Sequence, residues 1–210
     1  NDSITGTINY VYDHLYQLLT VDYPGSNYDK SYTYDNVGNR KTETSISQTM
    51  SYMYNPNSNQ LKEIRIGNES GQILYSYKYD DNGNRREKWD NRSNKLLQKY
   101  EYDQKNRITK IIVPTDTLDF QYDPNDYRIE KDVNGQKSKY LLEGEHFEAI
   151  YDSDDKIKAK FLRGVVIDEI VNGYFYDDLG TKRNVTFQHD YLQSIIGLTD
   201  HTGYIIETNK

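Results

Sequence analysis

The sequence predicts an all-β protein of stacked antiparallel β-hairpins, and three observations carry that prediction. Tyrosine supplies 22 of the 210 residues, against 5 Phe and 1 Trp. A chain so rich in Tyr buries ring surface while each hydroxyl keeps a polar contact, which a disordered, aromatic-poor chain does not do. The dipeptide Tyr-Asp begins eight times, at Tyr12, Tyr28, Tyr34, Tyr79, Tyr102, Tyr122, Tyr151 and Tyr176, where chance gives about two. The residues before it alternate with period two, as in Tyr32-Thr-Tyr34, Tyr75-Ser-Tyr77-Lys-Tyr79 and Tyr100-Glu-Tyr102. That period places the rings on one face of a strand.

Taken in order, the units begin with a degenerate copy, Y-D-H-L-Y-Q-L at Tyr12 to Leu18. Y-D-N-V-G-N-R follows at Tyr34 to Arg40, Y-N-P-N-S-N-Q-L at Tyr54 to Leu61, and Y-D-D-N-G-N-R at Tyr79 to Arg85. Looser copies run from Tyr102 to Ile108 and from Tyr122 to Ile129, so that successive starts lie 20 to 25 residues apart. In each unit the strand before Tyr-Asp leads into a turn opened by the aspartate (Asp35, Asp80, Asp103 or Asp123), whose carboxylate accepts backbone N–H bonds. Gly38 and Gly83, or Asn106 at the same place, supply the positive φ the turn needs. A second strand returns through Arg40-Lys-Thr-Glu-Thr or Arg107-Ile-Thr-Lys-Ile111, residues suited to extended backbone. Tyr34, Tyr79, Tyr102, Tyr122 and Tyr176 are expected to form a ladder of rings, Tyr beside Tyr, each cross-strand pair worth about 0.2–1 kcal/mol.

This pattern resembles the YD-repeat, or Rhs-repeat, family, whose signature is Y-D-x-x-G-R-L. The resemblance covers roughly residues 10–130. Asn55 departs from it in place of Asp, as do Tyr16 and Asp126 at the Gly place, and those units are expected to have different loop shapes. The chain divides at this level into a hairpin array at 1–138 and a second part at 139–210. The second part is similar to the Rhs-associated core region, whose last element reads H-D-x-L-G-S with L-T-D-x-x-G downstream. His189, Asp190, Leu192 and Ser194 match that element, Gln193 replaces its Gly, and Leu198 to Gly203 match the downstream motif. The resemblance implies a structural role for His189 and Asp190. It also implies a β-sheet spiralling into a hollow shell around a C-terminal effector that a D-P-x-G motif releases, a motif the sequence does not contain. The implied partners are that effector and further repeats of a longer chain, and the implied location is secreted or on the bacterial cell surface. A section of such a shell is expected to be an open arc with both terminal strand edges bare.

Composition narrows the remaining functions. With 33 acidic and 26 basic residues the net charge is -7, and Lys and Arg lie beside acids instead of forming a basic patch. A nucleic-acid partner is therefore not expected. No apolar run approaches the roughly 20 residues of a membrane span, and the absence of Cys removes disulfides and thiolate metal sites. His14, His146, His189 and His201 are scattered without ligand spacing, so no metal site is expected. Asp152, Asp154 and Asp155 lack the pattern of a calcium loop and read as a hairpin tip. Asp177 with Asp178, and Glu143 with Glu145, have no spacing that marks a glycosidase. No cofactor motif is present, and the chain is expected not to be an enzyme. The alternative function is an extracellular adhesion module, in which exposed Tyr, Trp89 and Asn or Asp loops contact carbohydrate or a cell-surface partner.

Overall fold

The computed structural model describes residues 6–25, 27–164, 169–189 and 194–208. Among them there is no helix, and the chain is a succession of short strands. It forms two compact units, the first Asn1–Arg107 with Ile112–Pro114, the second Ile108–Ile111 with Thr115–Lys210. The first holds β1 (Asn9–Tyr12), β2 (Leu18–Asp22), β3 (Lys30–Tyr34), β4 (Arg40–Ser45), β5 (Thr49–Tyr54), β6 (Leu61–Ile66), β7 (Ile73–Tyr79), β8 (Arg85–Asp90) and β9 (Lys95–Tyr102). The second begins within β10 (Ile108–Ile112) and continues through β11 (Thr117–Tyr122), β12 (Arg128–Val133), β13 (Gln136–Glu143), β14 (His146–Tyr151), β15 (Ile157–Arg163), β16 (Ile170–Tyr176), β17 (Lys182–His189), β18 (Ile195–Asp200) and β19 (Ile205–Thr208).

In the first unit every strand from β1 to β9 pairs antiparallel with the next. In the second the same holds from β11 to β19. The all-β stack of Tyr-Asp hairpins that the YD-repeat resemblance implies is thus the fold of this chain. Within each unit, strand packing runs between sequence neighbours and no second layer covers a face. Burial is correspondingly thin. Val21, Leu74, Tyr100, Ala149, Ala159, Val185, Ser51 and Glu63 are the buried side chains among the described residues, and no side chain is completely shielded.

The turns show how sequence dictates this topology. In eight of them the backbone N–H of an Asp donates to the carbonyl four residues on, and the residue three on donates back to the Asp carbonyl. These aspartates are Asp13, Asp35, Asp80, Asp103, Asp123, Asp152, Asp177 and Asp200. In every case Oδ1 accepts the N–H groups two and four residues further on, as Asp80 does from Asn82 at 3.1 Å and Asn84 at 2.8 Å. Just before most of these turns the register slips by one residue, for example between Thr33 and Tyr34 and between Lys78 and Tyr79. The combination is a three-residue hairpin loop whose third residue is left-handed and forms a bulge.

The left-handed place is held by Gly38, Gly83, Gly180 and Gly203, but also by Tyr16, Asn106, Asp126 and Asp155, with φ between 61° and 88°. The units with Tyr16 and Asp126 therefore keep the common loop shape, contrary to the sequence-based expectation. The four hydrogen bonds set by the Asp outweigh the cost, of order 1–3 kcal/mol, of a side chain at positive φ. The Asn55 turn does differ. It is one residue longer, with Asn55 N–H donating to Gln60 and Asn57 taking the positive φ. Asp152, Asp154 and Asp155 form a hairpin tip of the common kind. Asp190 lies outside the described residues.

Gly83 has φ +86°, and a Cβ there would stand 3.3 Å from Gln60 Nε2 of the preceding turn. Gly83→Val is expected to destabilise the first unit by about 1–3 kcal/mol. Urea denaturation checks this, and an unchanged midpoint would contradict the turn geometry.

Candidate functional site

The most regular chemical feature is a series of cations held between aromatic rings. Arg40, first residue of β4, has its guanidinium 4.9 Å from the Tyr32 ring centroid and 5.4 Å from that of Tyr52. Arg85, first residue of β8, lies 5.6 Å from Tyr77 and 5.1 Å from Tyr100, and donates to the Tyr100 hydroxyl at 3.1 Å. In the second unit Arg128 lies 5.5 Å from Phe120 and 5.4 Å from Tyr140, and Lys182 sits 3.7 Å over Tyr174. The sequence suggested Tyr stacked on Tyr. These rungs instead alternate ring, cation, ring, because a guanidinium gains at the negative face of each ring while two such faces gain little from each other.

Five strand-end tyrosines, two residues beyond those rings, do something else; four of them precede Asp and Tyr54 precedes Asn55. The hydroxyls of Tyr34, Tyr54, Tyr79, Tyr102 and Tyr122 donate to the carbonyls of Leu18, Arg40, Leu61, Arg85 and Ile108 at 2.8–3.0 Å. Each acceptor is the first residue of its strand. Every such tyrosine thus ties its own hairpin to the one before it. His189, at the end of β17, stands in the same place: its Nε2 is 2.8 Å from the carbonyl of Ile170, first residue of β16. A carbonyl only accepts, so Nε2 carries the proton, and the imidazole does here what a phenol does elsewhere. Tyr176 ends β16 but pairs with Lys182 without a register slip, and it lines a cleft instead of making such a tie.

Around this frame the charges are paired. Glu43 accepts from Lys30 at 2.8 Å, Arg40 at 2.8 Å and the Tyr52 hydroxyl at 3.0 Å. Burial raises the Glu43 pKa, but those bonds outweigh it and hold the carboxyl below its ordinary range. Glu63 is buried and takes a two-pronged bond from Arg65 at 2.9 and 2.6 Å. Burial pushes the phenols of Tyr52, Tyr54, Tyr77, Tyr79 and Tyr102 up. Asp35, Asp80 and Asp103 feel some desolvation, yet their turn N–H bonds and the side chains of Asn39, Asn84 and Arg107 bring them below the usual carboxylate value. Side-chain amides also join successive turns: Asn39 Nδ2 reaches Asn59 at 3.0 Å, and Asn84 Nδ2 reaches Asn106 at 2.8 Å.

Three of the carboxylates weighed as catalytic pairs in the sequence, and Trp89, make the following contacts. Asp177 is engaged by the N–H groups of Leu179 and Thr181, and Asp178 by Lys158 at 2.5 Å. Glu145 accepts from the Tyr127 hydroxyl at 3.3 Å, and Trp89 donates to Glu87 at 2.7 Å beneath Lys78. A cleft of about 760 Å³ lies between the 152–156 and 177–181 turns and is lined by Lys156, Lys158, Tyr176 and four aspartates. No group of three or more His, Asp or Glu among the described residues is placed to hold a metal ion.

No family model and no curated protein matches the chain. Among solved structures it is similar to the crystal structure of TcdB2-TccC3-TEV, with a TM-score of 0.52 and 8% identity over 96% of this chain. A second likeness is to the Photorhabdus luminescens Tc holotoxin pore carrying a TccC3 mutation, with a TM-score of 0.46 and 9% identity over 96% of this chain. The chain spans about 13% of the first of those chains and 12% of the second. The first likeness shows a shared fold.

Tyr79→Phe should cost about 0.5–1.5 kcal/mol through its lost bond to Leu61, and Arg85→Leu about 1–2 kcal/mol through two lost ring contacts. Denaturation midpoints of both variants measure this. The depressed carboxyls of Asp35, Asp80, Asp103 and Glu43 contribute stability that is complete above the unfolded carboxylate pKa of about 4. It drains away as pH falls through their lower folded values. Thermal melts should therefore be flat from about pH 7 to 5 and drop steeply below about pH 4.

Proposed function

We propose that this chain is a section of wall in a secreted or cell-surface bacterial YD-repeat protein, enclosing or presenting a C-terminal toxin domain and holding it inactive until delivery. The observation that carries this reading is the repeated device itself. A turn aspartate, a hydroxyl tie and a ring–cation rung recur through the chain with their polar groups spent on neighbouring hairpins. Such an array has its side chains committed to continuity of the sheet. The fold likeness to TcdB2-TccC3-TEV supports the same reading, as does the sequence resemblance of residues 139–210 to the region that precedes a released effector. On this reading the chain is not an enzyme, and its work is mechanical.

Limited proteolysis of the longer protein tests it. The segment following these repeats is expected to resist protease while the wall is folded and to be cut once denaturant opens it. Equal cleavage in both states would remove the enclosing role. Specific binding of the purified chain on a glycan array would instead favour the adhesion module.

A further inference from the structure

Rings of the first unit such as Tyr32, Tyr52, Tyr77 and Tyr100 meet a cation. Tyr23 and Tyr28 meet each other. Their ring centroids are 6.0 Å apart at an interplanar angle of 72°, edge to face. In the second unit the contacts Tyr140–Phe147, Phe161–Phe175 and Phe161–Phe187 each include a phenylalanine.

The pairing of the two phenols comes from strand register. β2 and β3 run antiparallel with Thr20 opposite Ser31 and Val21 opposite Lys30. Carried two residues past the strand ends, that register puts Tyr23 opposite Tyr28. Asp29 holds the approach, because its Oδ1 accepts the Tyr23 N–H at 2.7 Å across the loop. Residues directly opposite in an antiparallel pair have Cβ atoms about 4.5–5.5 Å apart, so one ring reaches the other. Tyr28 is 50% exposed and Tyr23 is half-buried. A cleft of about 360 Å³, lined by both rings, Ser45 and Ile46, opens the pair to small solutes. The seam beside it is short: β2 and β3 share two register pairs, where β3 and β4 share five. The chain has no Cys, so a disulfide cannot fasten that seam. Neighbouring phenols do have an oxidative route to a covalent link, through coupling of their phenoxyl radicals.

We propose that Tyr23 and Tyr28 are a site of oxidative modification, joined as a dityrosine that staples the β2–β3 loop when hydrogen peroxide and a haem peroxidase reach the protein. Each phenol gives up one electron and its hydroxyl proton, and the two radicals form a bond between the ring carbons next to their oxygens. The hydrogens on those carbons then move to the oxygens, which restores both phenols. For each link two hydrogen atoms leave the pair, and one peroxide becomes two waters. Rotation of the exposed Tyr28 ring, a fast side-chain motion, converts the edge-to-face contact into the approach of carbons that the bond needs. The link requires an oxidant at the loop and stands apart from the enclosing role.

Treatment of the protein with a haem peroxidase and limiting hydrogen peroxide tests this. The product is expected to be a monomer with the blue fluorescence of dityrosine, its yield per chain unchanged on dilution. Mass spectrometry should find the peptide that spans both residues two hydrogens lighter, with no fragments released by backbone cuts between Tyr23 and Tyr28. Tyr23→Phe and Tyr28→Phe should each lose this product. Tyr204→Phe, which removes a phenol that is 73% exposed, should keep it in full, because exposure without a facing phenol gives no link within the chain. Links between chains only, a product that survives in Tyr28→Phe, or oxidation of other tyrosines with Tyr23 and Tyr28 intact would overturn the proposal.

Discussion

Each unit depends on one constraint: side chains in a single layer of sheet obtain shelter only from their lateral neighbours. Within either unit no opposing layer among the described residues provides a dry interior, and even the best-covered residues, such as Ala149 and Ala159 at 3% exposure, are small groups shaded by larger ones. In that setting a Leu or Phe core would leave much apolar surface wet. Long amphipathic side chains answer the problem, because they lie flat along the sheet and keep a polar tip in water or in a bond. Tyr, Arg and Lys are of that kind, which is why a chain with 35% hydrophobic residues folds at all.

The same constraint explains the residue that follows each turn. In the first unit the strand-opening positions read Leu18, Arg40, Leu61, Arg85, so aliphatic and cationic rungs alternate from hairpin to hairpin. In the second, Ile157, Lys182 and Ile205 do so again. A cation at Leu61 would stand between the hairpins of Tyr52 and Tyr77, whose rings already face Arg40 and Arg85. It would add repulsion between guanidiniums and gain a ring face that is already occupied. Leucine there covers the rings from the other side without charge. Tyrosine then locks the stack, since the carbonyl it bonds belongs to the rung residue itself.

How much of this was legible depended on distance along the chain. The turns could be read, because an aspartate and a positive-φ residue three places on act within five residues. The left-handed Tyr16 and Asp126 could not, because only the summed hydrogen bonds show that the aspartate can dictate the loop without a glycine. The rungs were hidden for a different reason. Arg40 and Arg85 stand five residues after Asp35 and Asp80, a regularity visible in the string, yet their contacts reach rings in the next hairpin across loops of unequal length. The role of His189 was similarly concealed, since one must know that the phenols at strand ends are donors before an imidazole can be seen as their substitute.

A stack held this way has nearest-neighbour energetics. Each hairpin contributes its own turn and shares a rung and a tie with the hairpin before it, so stability accumulates step by step instead of condensing around one centre. Such an architecture can be lengthened without redesign, because a new hairpin needs only the carbonyl of the previous rung and a ring for its cation. It also tolerates change in the connecting loops, as the 20- to 25-residue spacing of the units shows. What it cannot tolerate is the loss of polarity at the rung. Replacing Arg or Tyr by a shorter apolar residue removes the lateral cover of both neighbours at once, and no interior is available to take up the exposed surface.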